Sequence, residues 1–273
     1  MEKEKPVGVF DSGIGGLTVV KRISSILPAE NLVYFGDTAR VPYGSKSNST
    51  VIEYSLQNAH FLMEKNVKVI VVACNTASSV ALDVLRQKLH VPIIGMIEPG
   101  AKFALKETKT GRIGVIGTTA TVNNHAYAKT ILQLDPHTEV FEKACPLFVP
   151  LAEEGWIDRE ATRLIAEEYL KEIKEYNIDT LVLGCTHYPL LAGVIQEVMG
   201  DKVSLIDSGI AAASAVQSEL KRIGLETNSF SAGSQDFYVS DIPQKFAEIA
   251  RLFMGRSLDY IKKIDTEVLT SYK

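Results

Sequence analysis

The sequence predicts an α/β fold with mainly parallel sheets, on two observations. Short β-rich apolar runs alternate with longer amphipathic ones along the chain. Several of the short runs, such as "VKVIVVA" at 67–73 and "TLVLG" at 180–184, are apolar at nearly every position, as suits strands covered on both faces.

In chain order the strands are expected at 7–10, 32–36, 67–73, 91–95, 112–117, 180–184 and 203–207. Each is rich in Val, Ile, Leu or aromatic residues. Helices are expected at 48–66, 76–89, 120–133, 158–176 and 188–199, where apolar residues recur every three or four positions. Strands joined through helices lie parallel, with helices on both faces of the sheet. Ligands of such folds gather beyond the carboxyl ends of the strands, so residues that directly follow a strand are the candidates for function.

A length of 273 residues with 46% hydrophobic side chains suffices for one large domain or two ordinary ones. The longest apolar runs are strand-length, and "MEKEKPVGVF" is charged with no hydrophobic signal region after it. No membrane association is expected, and a cytoplasmic location is. A formal charge of −4, with both signs interspersed as in "RLIAEEYLKEIKEY" at 163–176, argues against a nucleic-acid or anionic-membrane partner. The three cysteines, Cys74, Cys145 and Cys185, lie far apart without a CxxC pair. That argues against a disulfide framework of the secreted kind.

A faint internal repeat runs through the chain. "VGVFDSGIGG" at 7–16 echoes "IGVIGTTATV" at 113–122, and the stretch from 69 echoes that from 181, placing Cys74 and Cys185 at an offset of 111 residues. Two lobes of similar plan would carry these cysteines on matching strand ends, facing each other across a cleft. Each precedes an expected helix start, with Asn75 and Thr76 available to cap one helix and Pro189 suited to the first turn of the other. A helix N-terminus is expected to lower a thiol pKa and to hold carboxylates. Two thiols on opposite faces of one carbon could remove a proton from one side and return it from the other. Either cysteine alone would read as an ordinary buried residue, which is the reading for Cys145 in "KACPLFVP".

Other strand ends suit a small anionic substrate. In "DSGIGG", Asp11 can take an ammonium group or orient a thiol proton, and Ser12 can donate a hydrogen bond. The glycines permit close backbone approach but do not form GxGxxG, so no dinucleotide is expected. "RVPYGSKS" reads as a turn with an aromatic lip, Tyr43, and an accessible amide at Gly44. "GTTAT" offers the hydroxyls of Thr118 and Thr121 at another strand-to-helix junction. His187, two residues after Cys185, can supply a proton to that thiolate or stabilise it. His60, His90, His125 and His137 have no comparable setting.

In order, "FDSGIGGLTV", "GDTARVPYG", "ACNTAS" and "LGCTHYPLL" closely resemble the bacterial glutamate racemase family of the aspartate/glutamate racemase superfamily. The resemblance implies two similar α/β domains with the active site in the cleft between them: 1–96 with 209–273, and 97–208. It implies a cofactor-independent, metal-free isomerase that interconverts L- and D-glutamate, supplies D-glutamate for peptidoglycan and commonly dimerises. Cys74 and Cys185 match the two proton donors and acceptors, the first assigned to the D-substrate and the second to the L-substrate. Asp11 and Ser12, Tyr43 and Gly44, Asn75 and Thr76, and Thr186 and His187 match substrate-contacting pairs. Asp11, His187 and Glu153 of "VPLAEEG" match residues proposed to assist the thiols. The first strand begins within about six residues of Met1, so the leading extension through which a cell-wall precursor activates some members is not expected.

Other readings compete. An aspartate racemase or related cofactor-free epimerase would share the chemistry. A zinc enzyme could use Cys74, Cys185, His187 and Asp11, although the short-spaced ligand pairs of structural zinc sites are missing. A two-lobed protein that only binds an acidic metabolite would share the fold. A pyridoxal enzyme is disfavoured because no lysine stands out at a strand end.

Overall fold

A computed structural model of the chain describes residues 2–242, 246–258 and 260–272. Its first part runs β1 (Val7–Asp11), α1 (Leu17–Ile26), β2 (Leu32–Gly36), α2 (Asn48–Glu64), β3 (Val69–Val72), α3 (Asn75–Val80), α4 (Leu82–Lys88) and β4 (Ile93–Ile94). After α5 (Ile97–Glu107) come β5 (Arg112–Gly117), α6 (Thr119–Asn123), α7 (Ala126–Leu134), β6 (Glu139–Ala144), α8 (Phe148–Glu153), α9 (Glu160–Glu175), β7 (Thr180–Gly184), α10 (Ala192–Met199) and β8 (Ser204–Asp207). The chain closes with α11 (Ser208–Arg222), β9 (Gln235–Val239), α12 (Phe246–Met254), β10 (Ile261–Lys263) and α13 (Thr266–Thr270).

Two sheets result, ordered β10-β9-β2-β1-β3-β4 and β6-β5-β7-β8. Every strand pairing is parallel. β1 to β4 and β5 to β8 adopt the same spatial order, so the internal repeat is structural. It extends to detail: Asn66 and Asn177, each just before the third strand of its set, hold left-handed φ angles of 55° and 50°, a conformation that asparagine tolerates better than most residues. Gly8 and Gly114 also correspond, since a Cβ on either would press on the aliphatic residue after that asparagine, Val67 at 2.9 Å or Ile178 at 2.5 Å.

All seven expected strands form, with shorter bounds at β3, β4 and β8. β6, β9 and β10 were not expected. β6 is half-exposed along "EVFEKA" at a sheet edge, and β10 is a three-residue edge strand. Helices α1, α5, α8, α11, α12 and α13 were not expected either, although α1 and α12 carry apolar residues at helical spacing. α1 starts behind glycines with no side-chain cap, α5 has Pro99 and Gly100 near its start, and α11 is dominated by small residues.

The two sheets share packing. α11 follows β8 of the four-stranded sheet but rests on α1 and α5. Thr18 Oγ1 on α1 donates to the carbonyl of Thr186, after β7, at 2.9 Å. The carboxyl ends of β1, β3, β5 and β7 thereby meet, and Ser12, Cys74, Thr118 and Cys185 line one cavity. Among the described residues no helix is long and apolar enough to cross a membrane.

Candidate active site

Cys74 stands two residues beyond β3 and is itself the N-cap of α3. Its Sγ accepts the Ala77 N–H at 3.4 Å and donates to Ser12 Oγ at 3.4 Å. Asn75 and Thr76 therefore do not supply the cap. The expectation of a lowered thiol pKa is also corrected. Burial, followed by the negative charge of Asp11, pushes Cys74 up to about 12 against the opposing hydrogen bonds with Ser12 and Ala77. One amide at the start of a short helix does not offset the loss of hydration.

Cys185 directly follows β7. The chain then makes a 3-10 turn over Tyr188–Leu191, with Pro189 in its first turn as expected. Cys185 Sγ lies 3.8 Å from His187 Nδ1, and His187 Nε2 lies 2.8 Å from Glu153 Oε1 at the end of α8. Burial alone would lower the imidazole pKa. Hydrogen bonds to Cys185 and Glu153, with the charges of both, outweigh it and raise His187 to about 10. Phe253 of α12 meets the ring edge-on at 5.1 Å. The start of α1 closes over this corner at Gly15, where a Cβ would fall 2.2 Å from Thr186 Oγ1 and 2.5 Å from His187 Cε1.

The two cysteines thus differ in company. Cys185 has an imidazolium beside it, whereas Cys74 has a hydroxyl, an amide and the field of a carboxylate. That carboxylate, Asp11, ends β1 and is fully buried outside the cavity wall. Its Oδ2 accepts the Gly13 N–H at 3.0 Å, and its Oδ1 has no hydrogen-bond partner among the described residues. Burial raises the Asp11 pKa, opposed by the positive charge of His187 and by the amides of Gly16, Gly13 and Ser12.

Tyr43 and Gly44 also line the cavity, but the aromatic lip expected at Tyr43 is not formed. The ring is 1% exposed. Its hydroxyl donates to Asp37 and accepts from Asn58 Nδ2 at 3.0 Å, while Arg40 Nε clasps Asp37 at 2.7 Å. The phenol is consumed in holding its own loop, and the backbone is what remains to contact a ligand. Sequence reasoning missed Asp37, Arg40 and Asn58. The charged pair directly after β2 in "GDTAR" was the available signal.

Three threonines link the sheets beside this loop. Thr76 Oγ1 lies 2.9 Å from Thr118 Oγ1, which lies 3.0 Å from Thr121 Oγ1. Thr118 lines the cavity, but Thr121 is buried and does not. Ser12, Asn75, Thr76, Thr186, His187 and Glu153 all reach the wall of this cavity of about 420 Å³. Cys145 is core, fully buried with Phe148 and Tyr188. None of His60, His90, His125 and His137 lines the cavity. Among the described residues no group of three or more His, Cys, Asp or Glu side chains is placed to hold a metal ion.

A two-sheet fold with a thiol on the third strand end of each sheet, both at one cavity, suits proton transfer at a single carbon. The Asp/Glu/Hydantoin racemase family matches residues 7–216 of the chain. The chain belongs to that family and is an isomerase, a racemase. It is similar to the glutamate racemase of Geobacter metallireducens, 50% identical over 96% of this chain and 97% of the relative. It is likewise similar to the glutamate racemase of Chlorobaculum tepidum, 51% identical over 97% of each. Among solved structures, the glutamate racemase of Francisella tularensis in complex with D-glutamate superposes with a TM-score of 0.92 at 39% identity, covering 99% of this chain and 100% of that one.

Proposed function

We propose that the chain is a glutamate racemase that interconverts L- and D-glutamate by proton transfer between Cys74 and Cys185, without a cofactor. The observation that carries this reading is the delivery of two thiols to one cavity by matching strands of a repeated fold. The full-length similarity to glutamate racemases favours glutamate over aspartate. The proposed lobes are 1–96 with 209–273, and 97–208.

With L-glutamate bound, the Cys185 thiolate takes the α-proton: the Cα–H bond breaks and an S–H bond forms. The carbanionic centre then takes the Cys74 thiol proton on its opposite face, leaving a Cys74 thiolate and D-glutamate. The reverse reaction exchanges the two roles. In the resting cavity, Cys74 is kept protonated by burial and by Asp11, and His187 offers a positive charge beside Cys185. That asymmetry suits the resting cavity to L-glutamate as the first substrate. The substrate ammonium supplies the cation that Cys74 lacks when the reaction runs backwards.

An α-proton is a very weak acid, so carbanion formation depends on preorganised donors in a site from which water is excluded. Ser12, Asn75, Thr76, Thr118 and Thr186, with the amides of Tyr43 and Gly44, are the proposed donors to the two carboxylates. Thr121 supports Thr118 from behind. Because the thiols act as a coupled pair, the rate should follow a bell-shaped pH profile whose limbs belong to the pair. The same reading carries supply of D-glutamate to peptidoglycan and cell shape, a cytoplasmic site of action and a homodimer.

The test is dialysed protein with L-glutamate in D₂O, following circular dichroism and the α-proton NMR signal. Loss of both signals, abolished in Cys74→Ser and in Cys185→Ser, supports the two-thiol reaction. Response to aspartate alone would change the substrate. Activity that requires pyridoxal phosphate, or that a chelator removes, would overturn the mechanism.

A further inference from the structure

The side-chain amide of Asn75 has one end engaged and one end free. Its Oδ1 accepts a hydrogen bond from the Tyr127 hydroxyl at 2.8 Å. Its Nδ2 is buried without a hydrogen-bond partner among the described residues, on a residue 2% exposed that lines the cavity. Burying an amide donor with no acceptor is costly, and in a binding site such a donor marks a place a ligand oxygen can fill.

Tyr127 lies on α7, next to the four-stranded sheet, whereas Asn75 opens α3 beside the six-stranded one. The hydrogen bond therefore spans the two halves. Two glycines make room for the buried ring. A Cβ on Gly100 would lie 3.0 Å from the Tyr127 hydroxyl, and one on Gly184, the residue before Cys185, would lie 3.1 Å from the ring edge. The hydroxyl also has the Met96 carbonyl, farther away at 3.5 Å, and the Ser208 side chain within reach.

An asparagine amide can turn over and exchange its donor and acceptor ends. Turned one way it receives a carboxylate, and turned the other way it repels one. We infer that Tyr127 is a positioning residue: its hydroxyl holds Asn75 Oδ1 so that the Nδ2 donors face the cavity and bind a carboxylate of the substrate. This rests on the proposed role of Asn75 as a substrate contact. Tyr127 touches no reacting atom and acts only through Asn75.

The test is a double-mutant cycle with Tyr127→Phe, Asn75→Ala and both together, reading the D-glutamate dissociation constant by calorimetry and KM and kcat by racemisation. Tyr127→Phe keeps the ring in its slot and should raise the dissociation constant and KM on the order of tenfold, with a smaller change in kcat. In the Asn75→Ala background it should add almost nothing. Full additivity, or a silent Tyr127→Phe beside an impaired Asn75→Ala, would overturn the inference and leave the substrate site standing. An Asn75→Ala protein that binds D-glutamate normally would remove Asn75 from the site and the inference with it. Should Tyr127→Phe fail to fold, the Asn75 side-chain NH₂ signals of the ¹⁵N-labelled wild type decide: they should shift on D-glutamate addition, and unmoved signals would refute the assignment.

Discussion

His187 Nδ1 lies 3.8 Å from the Cys185 thiol while its Nε2 lies 2.8 Å from Glu153, so a single ring connects a proposed base to a carboxylate at the cavity wall. Sequence spacing suggests the first contact, two residues apart. The second joins residues 34 apart in sequence, with α9 and β7 between them, and depends on the fold.

The His187–Glu153 contact predicts an unusual titration. Burial opposes protonation of His187, but the hydrogen bonds and charges of Cys185 and Glu153 raise its pKa from 6.5 to about 10. A group whose folded pKa is raised stabilises the fold fully below its unfolded value and loses that contribution as pH rises through the folded one. The stabilisation should therefore be intact below 6.5 and vanish on approach to about 10. An NMR titration of the His187 Cε1–H should place its midpoint far above that of an ordinary imidazole. Glu153→Gln should bring the midpoint down and narrow the alkaline limb of the rate profile. If the midpoint is the same in both proteins, Glu153 has no part in holding that proton.

For Cys74 the prediction concerns its state before substrate arrives. Burial and the Asp11 charge hold the thiol near 12, and Cys145 is also pushed up by burial. Ultraviolet absorbance of Cys185→Ser should then show no thiolate in the neutral range. Asp11→Asn in that background should shift the Cys74 titration downward, because the repelling charge has gone. Thiolate absorbance at neutral pH in Cys185→Ser would mean that the N-cap position governs this thiol after all.

How much of this was legible in the sequence follows from how local each signal is. The thiol pair was visible because a short-range pattern, an apolar run ending in cysteine, occurs twice at one offset. The matched Asn66 and Asn177 turns and the Gly8 and Gly114 contacts mark the same duplication in the backbone. The anchoring of Tyr43 was missed, although Asp37 and Arg40 stand near it in sequence, because Arg40 closes on Asn58 and Gln57, and Tyr43 on Asn58, which belong to the next helix. The state of Cys74 was misread for a related reason: the helix start is written beside it, while the burial and the Asp11 charge come from elsewhere in the chain. Edge strand β6 escaped because a half-exposed strand lacks the continuous apolar run that identified the central ones.

At the far end of the six-stranded sheet from the cavity, Lys68 and Glu30 form an ion pair with side-chain exposures of 0% and 2%. Lys68 Nζ also donates to the carbonyls of Lys3 and Leu225, and Glu30 Oε1 accepts the Thr227 N–H at 2.8 Å. The pair therefore ties the N-terminal segment and the stretch after α11 to the start of β3. Removing one partner leaves an uncompensated buried charge, a change that typically costs about 3–5 kcal/mol. Lys68→Met should accordingly lower the urea midpoint by that much stability without altering the m-value. Replacing Glu30 by Leu as well should recover a large part of the loss, since well-packed apolar side chains often match a buried pair. Lys5→Met, which breaks the exposed pair with Glu2, should change stability by no more than about 1 kcal/mol. None of the three proteins should change kcat while folded, because this pair lies away from the strand ends that build the cavity. A kcat that falls in Lys68→Met below its unfolding range would mean that the clamp transmits to the active site and is more than a brace.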